Sequence, residues 1–384
     1  MRSKKLMMML VAVHITAWIS CCAAAQRHIY WGDVHGHTAL SDGKGSLDDY
    51  FVYARDVAKL DFVIVTDHDF GNGPPWRMPK NAWKRTQEKA AQYTQNGKFV
   101  AIAGYEWTSQ AKYWSGVGDN IVSEHLFAGP PKFYNHKNVY FLNPVDYLFS
   151  AKNPAYMTPD LLAEAVRKVG GLVQNNHPAA GPDGRDQWDY SPVYYPVIAN
   201  TEMYADTLYY QGKTYHVNME KAVRSFLDRG GRTGFVRGTD THEGHPAART
   251  AVLAKELTRA AIFDALRHRH NYAVSNARIV LRFQIDGHAM GEAIQTTGKP
   301  RIVLDVRGTD TISEVAIVCN GSILHSFNPV ADHVTFQYVD NSFTRDSYYY
   351  LRVTQVDKDE HGNPSRAWSS PIWVRRKPST GSGR

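Results

Sequence analysis

Two patterns of apolar spacing divide the chain. From residue 28 to about residue 277 short apolar runs alternate with amphipathic stretches, and beyond that apolar and polar residues simply alternate. In the first part strands are predicted at 28–34, at Phe62-Val63-Ile64-Val65, at 99–105, at Val139-Tyr140-Phe141-Leu142, at Leu172-Val173, at Val197-Ile198 and at 233–236. Helices are predicted between them. One is capped by Ser46 and gathers Leu47, Tyr50, Phe51, Ala54, Val57 and Ala58 on one face; another covers 82–93. A third starts at Thr158-Pro159-Asp160 with Leu161, Leu162, Ala165, Val166 and Val169 inward, and two more cover 216–227 and 259–267. Such alternation predicts an α/β unit over 26–277 with a parallel sheet, open or closed, whose chemistry collects at the carboxyl ends of the strands. A long aromatic, Gly-rich insertion at 107–135 interrupts it. In the second part Ile302, Leu304 and Val306, then Val315, Ile317 and Cys319, then Tyr349, Leu351 and Val353 keep a period of two. This predicts a small antiparallel β-sandwich, Ig-like, over 278–375, with a disordered tail at 376–384.

The length, 384 residues, suits two such units. The net charge of +7 includes Arg2, Lys4 and Lys5 at the N-terminus, and the remaining excess is too mild to argue for nucleic acid. The apolar run at 6–19 and the small residues Ala23-Ala24-Ala25 predict a secretory signal over 1–25. The run is short for a bilayer and lacks a stop-transfer flank, so no transmembrane anchor is expected after cleavage. The expected location is periplasmic or extracellular, with a lipoprotein form through Cys21 or Cys22 as the lesser alternative. Only Cys319 survives cleavage, so no internal disulfide forms, and any metal must be bound through nitrogen and oxygen.

Candidate ligands stand at the predicted strand ends. His35 and His37 follow the first strand two residues apart, on one face, with Gly36 between them and Asp42 close behind. His68 follows the second strand in Thr66-Asp67-His68-Asp69, and Glu106 follows the third. His177 sits in Asn175-Asn176-His177-Pro178, and Asp240 and His242 repeat the two-residue spacing after 233–236. Each alone reads as an ordinary surface or core polar group. Together, at one mouth, so many imidazoles and carboxylates are costly unless cations neutralise them. Nitrogen and oxygen donors without thiolate fit Zn, Mn or Fe, and this many ligands suffice for two or three ions. Closely spaced ions make hydroxide from water near neutral pH and clamp phosphoryl oxygens, so no Ser or Cys nucleophile is required.

The motifs D-V-H-G-H-T…S-D-G, V-T-D-H-D, G-Y-E-W, N-N-H-P and G-T-D-T-H together resemble the PHP (polymerase and histidinol phosphatase) family, in its secreted bacterial arrangement with a C-terminal β-domain. The resemblance implies a distorted (β/α)7 TIM-like barrel and a trinuclear site acting on phosphate esters. It implies one ion on His35, His37, Glu106 and Asp240, a second on Glu106, a following histidine and His177, and a third on Asp42, His68 and His242. The following histidine is either His136, which directly precedes a predicted strand and is preferred, or His125.

Asp240, His242 and Arg249 are expected to take part in the reaction. Arg249, Arg185 and Lys112 are the candidates for a substrate phosphate, and His245 for a proton shuttle. Trp107, Tyr113, Trp114, Phe133 and Tyr134 either wall a cleft or pack on one another. The leading expectation is a secreted metal-dependent phosphoesterase. The alternatives are a metallohydrolase of another ester or amide, and a non-catalytic metal-holding protein whose β-sandwich binds a glycan or partner. Oligomeric state is not legible.

Overall fold

The first strand, β1 (His28–Asp33), leads straight into the histidine pair and is hydrogen-bonded to 62–63 on one side and 250–254 on the other. The structure, a computed structural model, describes residues 27–69, 80–109, 134–151, 153–178, 190–203, 207–210, 213–216 and 218–377. The expected signal segment with Cys21 and Cys22 lies outside these residues, as do Lys112, Tyr113, Trp114, His125, Phe133, Arg185 and residues 378–384.

After β1 come helix α1 (Leu47–Val52), β2 (Phe62–Val65), α2 (Lys80–Tyr93), β3 (Val100–Thr108) and β4 (His136–Tyr140). Then follow α3 (Pro159–Lys168), β5 (Leu172–Asn175), β6 (Ile198–Glu202), β7 (Thr207–Tyr210), β8 (Lys213–His216), α4 (Met219–Leu227) and β9 (Gly234–Val236). β10 (Thr250–Ala254), α5 (Arg259–Arg267) and β11 (Asn271–Val274) complete the first part. Hydrogen-bonded pairing runs β1-β2-β3-β4-β5-β6-β9, and beyond β9 a parallel bridge joins Gly36 to Thr241.

The fold is mixed α/β and strand-rich, and the expected all-parallel sheet requires correction. β4 is antiparallel to both β3 and β5. Parallel strands need a crossover, usually helical, and no helical stripe separates β3 from β4 in the sequence. β10 and β11 were not anticipated; they add antiparallel strands on the far side of β1. Their short sequences, Thr-Ala-Val-Leu-Ala and Asn-Tyr-Ala-Val, carry no distinguishing period.

Ser46 does cap α1, in a reciprocal capping box with Asp49. The helix then widens into a π-turn, with Ala58 N bonding Tyr53 O, so Val57 rotates out and is 61% exposed instead of joining the apolar stripe. On α3 the buried stripe is Leu162, Ala163, Ala165 and Val166, leaving Leu161 and Val169 outside. α4 starts three residues later than expected, because His216 belongs to β8 and the Asn218 side chain caps the helix.

The second part holds β12 (Val280–Ile285), β13 (His288–Ala289), β14 (Ala293–Thr296), β15 (Arg301–Cys319), β16 (Ser322–Phe327), β17 (Ala331–Val339), β18 (Ser347–Lys358), β19 (Pro364–Ser369) and β20 (Ile372–Arg376). Most pairs are antiparallel, but β14 and β20 run parallel. Residues 376 and 377, expected in a disordered tail, belong to the fold: Arg376 closes β20 and the Lys377 amide bonds Thr296 O at 2.8 Å. The two parts share a sheet. β19 pairs with β11, Ala273 opposite Trp368, and Trp368, Tyr350 and Trp373 bury themselves against Phe226, Phe235 and Ala273. Among the described residues no helix is long and apolar enough to cross a membrane.

Candidate metal centre

Strand ends converge on one carboxylate. Glu106, at the carboxyl end of β3 and almost fully buried, has His68 Nδ1 at 2.9 Å, His35 Nε2 and His136 Nδ1 at 3.2 Å, and His37 Nε2 and His177 Nε2 at 3.6 Å. Asp240 flanks this group, with its Oδ1 at 3.1 Å from His37 Nε2 and 3.3 Å from His35 Nε2. Asp42 forms the outer edge, 3.3 Å from His242 Nε2, 3.5 Å from His68 Nε2 and 3.8 Å from His37 Nδ1. All nine candidate ligands therefore meet in one cluster, His136 among them, while His125 lies outside the described residues. His37 packs against both His68 and His242, with ring centroids 4.6 and 4.3 Å away.

The acidic neighbours in the same motifs hold backbone. Buried Asp67 accepts from Thr38 N (2.7 Å), Thr38 Oγ1 (2.8 Å) and Ser41 Oγ (2.8 Å), fixing the loop that carries His37 and Asp42. Asp33 accepts from Thr239 N, Thr239 Oγ1 and Ala247 N, tying β1 to the loop with Asp240 and His242. Asp240 and His177 both adopt positive φ, 52° and 27°, a costly backbone that such sites tolerate when the surroundings impose it. Gly238 makes the closure feasible, because a β-carbon there would collide with that of His35. At Gly36 a β-carbon would stand 2.5 Å from the Tyr50 hydroxyl.

The sequence reading missed Glu202, at the end of β6. Its Oε1 lies 2.9 Å from His35 Nδ1 and its Oε2 accepts from His177 N at 2.8 Å. Asn176 also went unassigned; its amide donates to Glu106 Oε1 at 2.7 Å. The available signal for Glu202 was positional: it is another acidic residue at a strand's carboxyl end, but its strand was drawn two residues long.

His35 offers a direct test of whether a cation fits. With Nδ1 donating to Glu202, Nε2 carries a lone pair; it is buried, has no hydrogen-bond partner, and faces the oxygens of Glu106 and Asp240. A lone pair set against two anionic oxygens is repulsive unless a proton or a metal cation lies among them. Nitrogen from His35 and His37 with Glu106, from His68 and His136 with Glu106, and from His37, His68 and His242 with Asp42 forms three compact donor groups. The donor chemistry fits divalent ions of the Zn, Mn and Fe kind.

Without ions the cluster holds itself by sharing protons. Burial opposes ionisation of His35 and His68, yet the carboxylates around them, Asp240, Glu202 and Glu106 for the first and Glu106 and Asp42 for the second, raise both well above the ordinary imidazole value. Burial likewise opposes the charge on Glu106, Asp240 and Asp42, but neighbouring imidazoles hold all three below the usual carboxylate range. His136 goes the other way, burial taking it down to about 4 despite Glu106. The carboxylate contribution to stability is present above about pH 4 and fades as pH falls; the His35 and His68 contribution is complete below about pH 6.5 and fades as pH rises through their raised values. Metal binding needs those imidazoles neutral and releases their protons. The rise in Tm on adding Zn or Mn to chelator-treated protein is therefore expected to grow between pH 6 and pH 8, as read by scanning fluorimetry. A gain that shrinks over that range contradicts the assignment.

The remaining candidates are placed as follows. Arg249 donates from its guanidinium to the Ser275 carbonyl, and its amide bonds Gly32 O at 3.0 Å. His245 is exposed and stacks on Tyr53, centroids 4.5 Å apart. Trp107 and Tyr134 are buried, and the Trp107 indole donates to Tyr156 O, so both serve packing.

Glu202 acts through His35. Glu202→Gln is expected to lower metal affinity about 10- to 100-fold, the usual range for a carboxylate orienting a ligating histidine. Titration with a fluorescent metal chelator measures this, and an unchanged affinity would remove Glu202 from the positioning role.

Residues 188–299 match the profile of a family described as a protein of unknown function, DUF3604. Uncharacterised proteins of Chlamydia trachomatis and Chlamydia muridarum are 27% and 26% identical over 395 residues, covering 94% of this chain. The chain spans about 60% of the length of those curated relatives. Among solved structures, a two-domain protein of Bacteroides vulgatus, described as containing a predicted PHP-like metal-dependent phosphoesterase, aligns over 88% of this chain and 94% of its own at 16% identity and a TM-score of 0.46. The fibronectin(III)-like modules of Clostridium thermocellum CbhA align over 48% of this chain and 95% of their own at 10% identity and a TM-score of 0.18.

Proposed function

We propose that this chain is a metal-dependent hydrolase of phosphate esters, built on a distorted (β/α)7 barrel. The observation that carries the reading is Glu106, a single buried carboxylate with five imidazoles within 3.6 Å. In this reading His35, His37, Glu106 and Asp240 hold one ion, Glu106, His136 and His177 a second, and Asp42, His68 and His242 a third. Two or three such ions supply Lewis acidity and water activation near neutral pH.

The chain's own residues do the rest. Glu106 is shared between donor groups and fixes their spacing. Glu202 sets the tautomer of His35, and Asp33 and Asp67 clamp the two loops that bring ligands from opposite ends of the sequence. Asp240 and His242, with side chains 27% and 32% exposed, and Asp42 at 45%, form the open side by which a phosphate group enters. The buried imidazoles behind them exclude bulk water.

Elemental analysis and a panel of phosphate mono-, di- and triesters with Zn, Mn and Fe test the proposal. More than one equivalent of metal and metal-dependent release of phosphate or alcohol are expected. Bound metal with turnover of carboxyl esters or amides alone would transfer the reading to another hydrolase class.

A further inference from the structure

A second charged site lies at the other end of β9 from the histidine cluster. There a cleft of about 580 Å³ is lined by Tyr195, Pro196, Arg232, Arg267, Arg269 and Arg375. The four guanidinium groups come from three places: the turn after α4, the end of α5, and β20. Among the described residues none of the four has an ion pair. Arg267 is committed, donating to Gly170 O at 2.7 Å and lying 5.2 Å from the centroid of Phe263. Arg269 reaches Gly291 O only at 3.4 Å. Arg232 and Arg269 both lie over the ring of Trp373, at 5.8 and 5.6 Å.

A structural explanation covers part of this. Cations at a helix carboxyl end favour its carbonyls, which accounts for Arg267 and for the position of Arg269. It does not account for Arg232, nor for Arg375, which arrives on a strand of the second part. Arg269 also holds φ at +62° just past the helix, where glycine or asparagine is usual. Burial, with Arg232 nearby, brings its guanidinium down to about 10. Like charges gathered in a recess repel one another, and a multiply charged anion removes that repulsion.

We propose that this cleft binds a multiply charged oxyanion of the phosphate class, cradled by Arg232, Arg269 and Arg375. Planar forked donors match phosphoryl oxygens two at a time, and guanidinium groups from separate elements suit a ligand with more than one phosphoryl group. The Tyr195 and Pro196 wall offers an apolar surface to any organic substituent. The ligand also joins the two parts, since Arg375 belongs to one and Arg232 and Arg269 to the other.

Calorimetric titration of the full chain in chelator-containing buffer tests this, with pyrophosphate as the probe and sulfate at matched ionic strength as the comparison. Pyrophosphate is expected to bind one to one, at least tenfold more tightly than sulfate, and more weakly as salt rises. Arg269→Gln and, separately, Arg375→Gln each lower the affinity at least tenfold, while His37→Ala leaves it unchanged. Arg375 is exposed, so its variant reports even if Arg269→Gln disturbs folding. No binding, equal binding of sulfate, or insensitivity to both arginine variants overturns the proposal. A nucleoside diphosphate run in parallel separates the sources: tighter binding than pyrophosphate points to an organic diphosphate, and weaker binding to an inorganic one.

Discussion

Glu106→Gln is expected to cost at least 1,000-fold in kcat/KM on any phosphate ester the protein hydrolyses, and to lower bound metal by at least one equivalent. The amide is nearly isosteric, so the change removes charge while leaving shape. What it removes is the anion facing His35, His37, His68, His136 and His177 within 3.6 Å. A neutral amide would be a poorer partner for any cation held there, and its NH2 would point donors at the neighbouring imidazole nitrogens. A thousandfold loss corresponds to about 4 kcal/mol of transition-state stabilisation. Metal content by mass spectrometry and initial rates with saturating Mn or Zn measure both effects. Circular dichroism should remain near native, since the surrounding core of Ile64, Ile102, Val139 and Val173 is untouched. Full activity with undiminished metal would mean that Glu106 is a structural acid and that the centre lies elsewhere.

Truncation after Ala277 is expected to leave no soluble folded protein, and the separate fragment 278–384 is expected to aggregate. The alternating pattern after Ala277 suggests a self-contained unit, but β11 is hydrogen-bonded to β19, and Trp368, Tyr350 and Trp373 fill the same core as Met203, Phe226 and Phe235. Returning three or four such side chains to water costs roughly 5–10 kcal/mol, comparable to the whole stability of a typical domain, about 5–15 kcal/mol. The bared edge of β11 would also invite pairing with other chains. Soluble expression of both fragments with sharp, independent unfolding transitions would show that the interface is dispensable.

Much of the site was legible because its chemistry sits at strand ends. A short, wholly apolar run such as Phe62-Val63-Ile64-Val65 reads as a buried strand, and where such strands run parallel the polar residues that follow them fall at the same end of the sheet. That reasoning located His35, His37, His68, Glu106, His177, Asp240 and His242 without coordinates. It failed at Glu202, because Ile198–Glu202 mixes Asn and Thr into a buried strand and so loses its apolar signature. Strand direction was legible only in part: no helical stripe separates β3 from β4, which argues against a parallel crossover, but no side-chain period encodes the reversal itself. The junction of the two parts was not legible, since Asn271–Val274 and Pro364–Ser369 are about ninety residues apart and neither carries a period that marks it as a strand. The arginine cleft is a similar case, its members being spread over 232–375 with no common motif.

The β11–β19 ladder also sets a timetable. Ala273 is synthesised roughly 95 residues before its partner Trp368, an interval of about 5–20 s at ordinary rates of translation. For that time the histidine-bearing part has its whole side-chain cluster but an unfinished flank. Stable assembly of that flank must wait until Trp368 and its neighbours have been made.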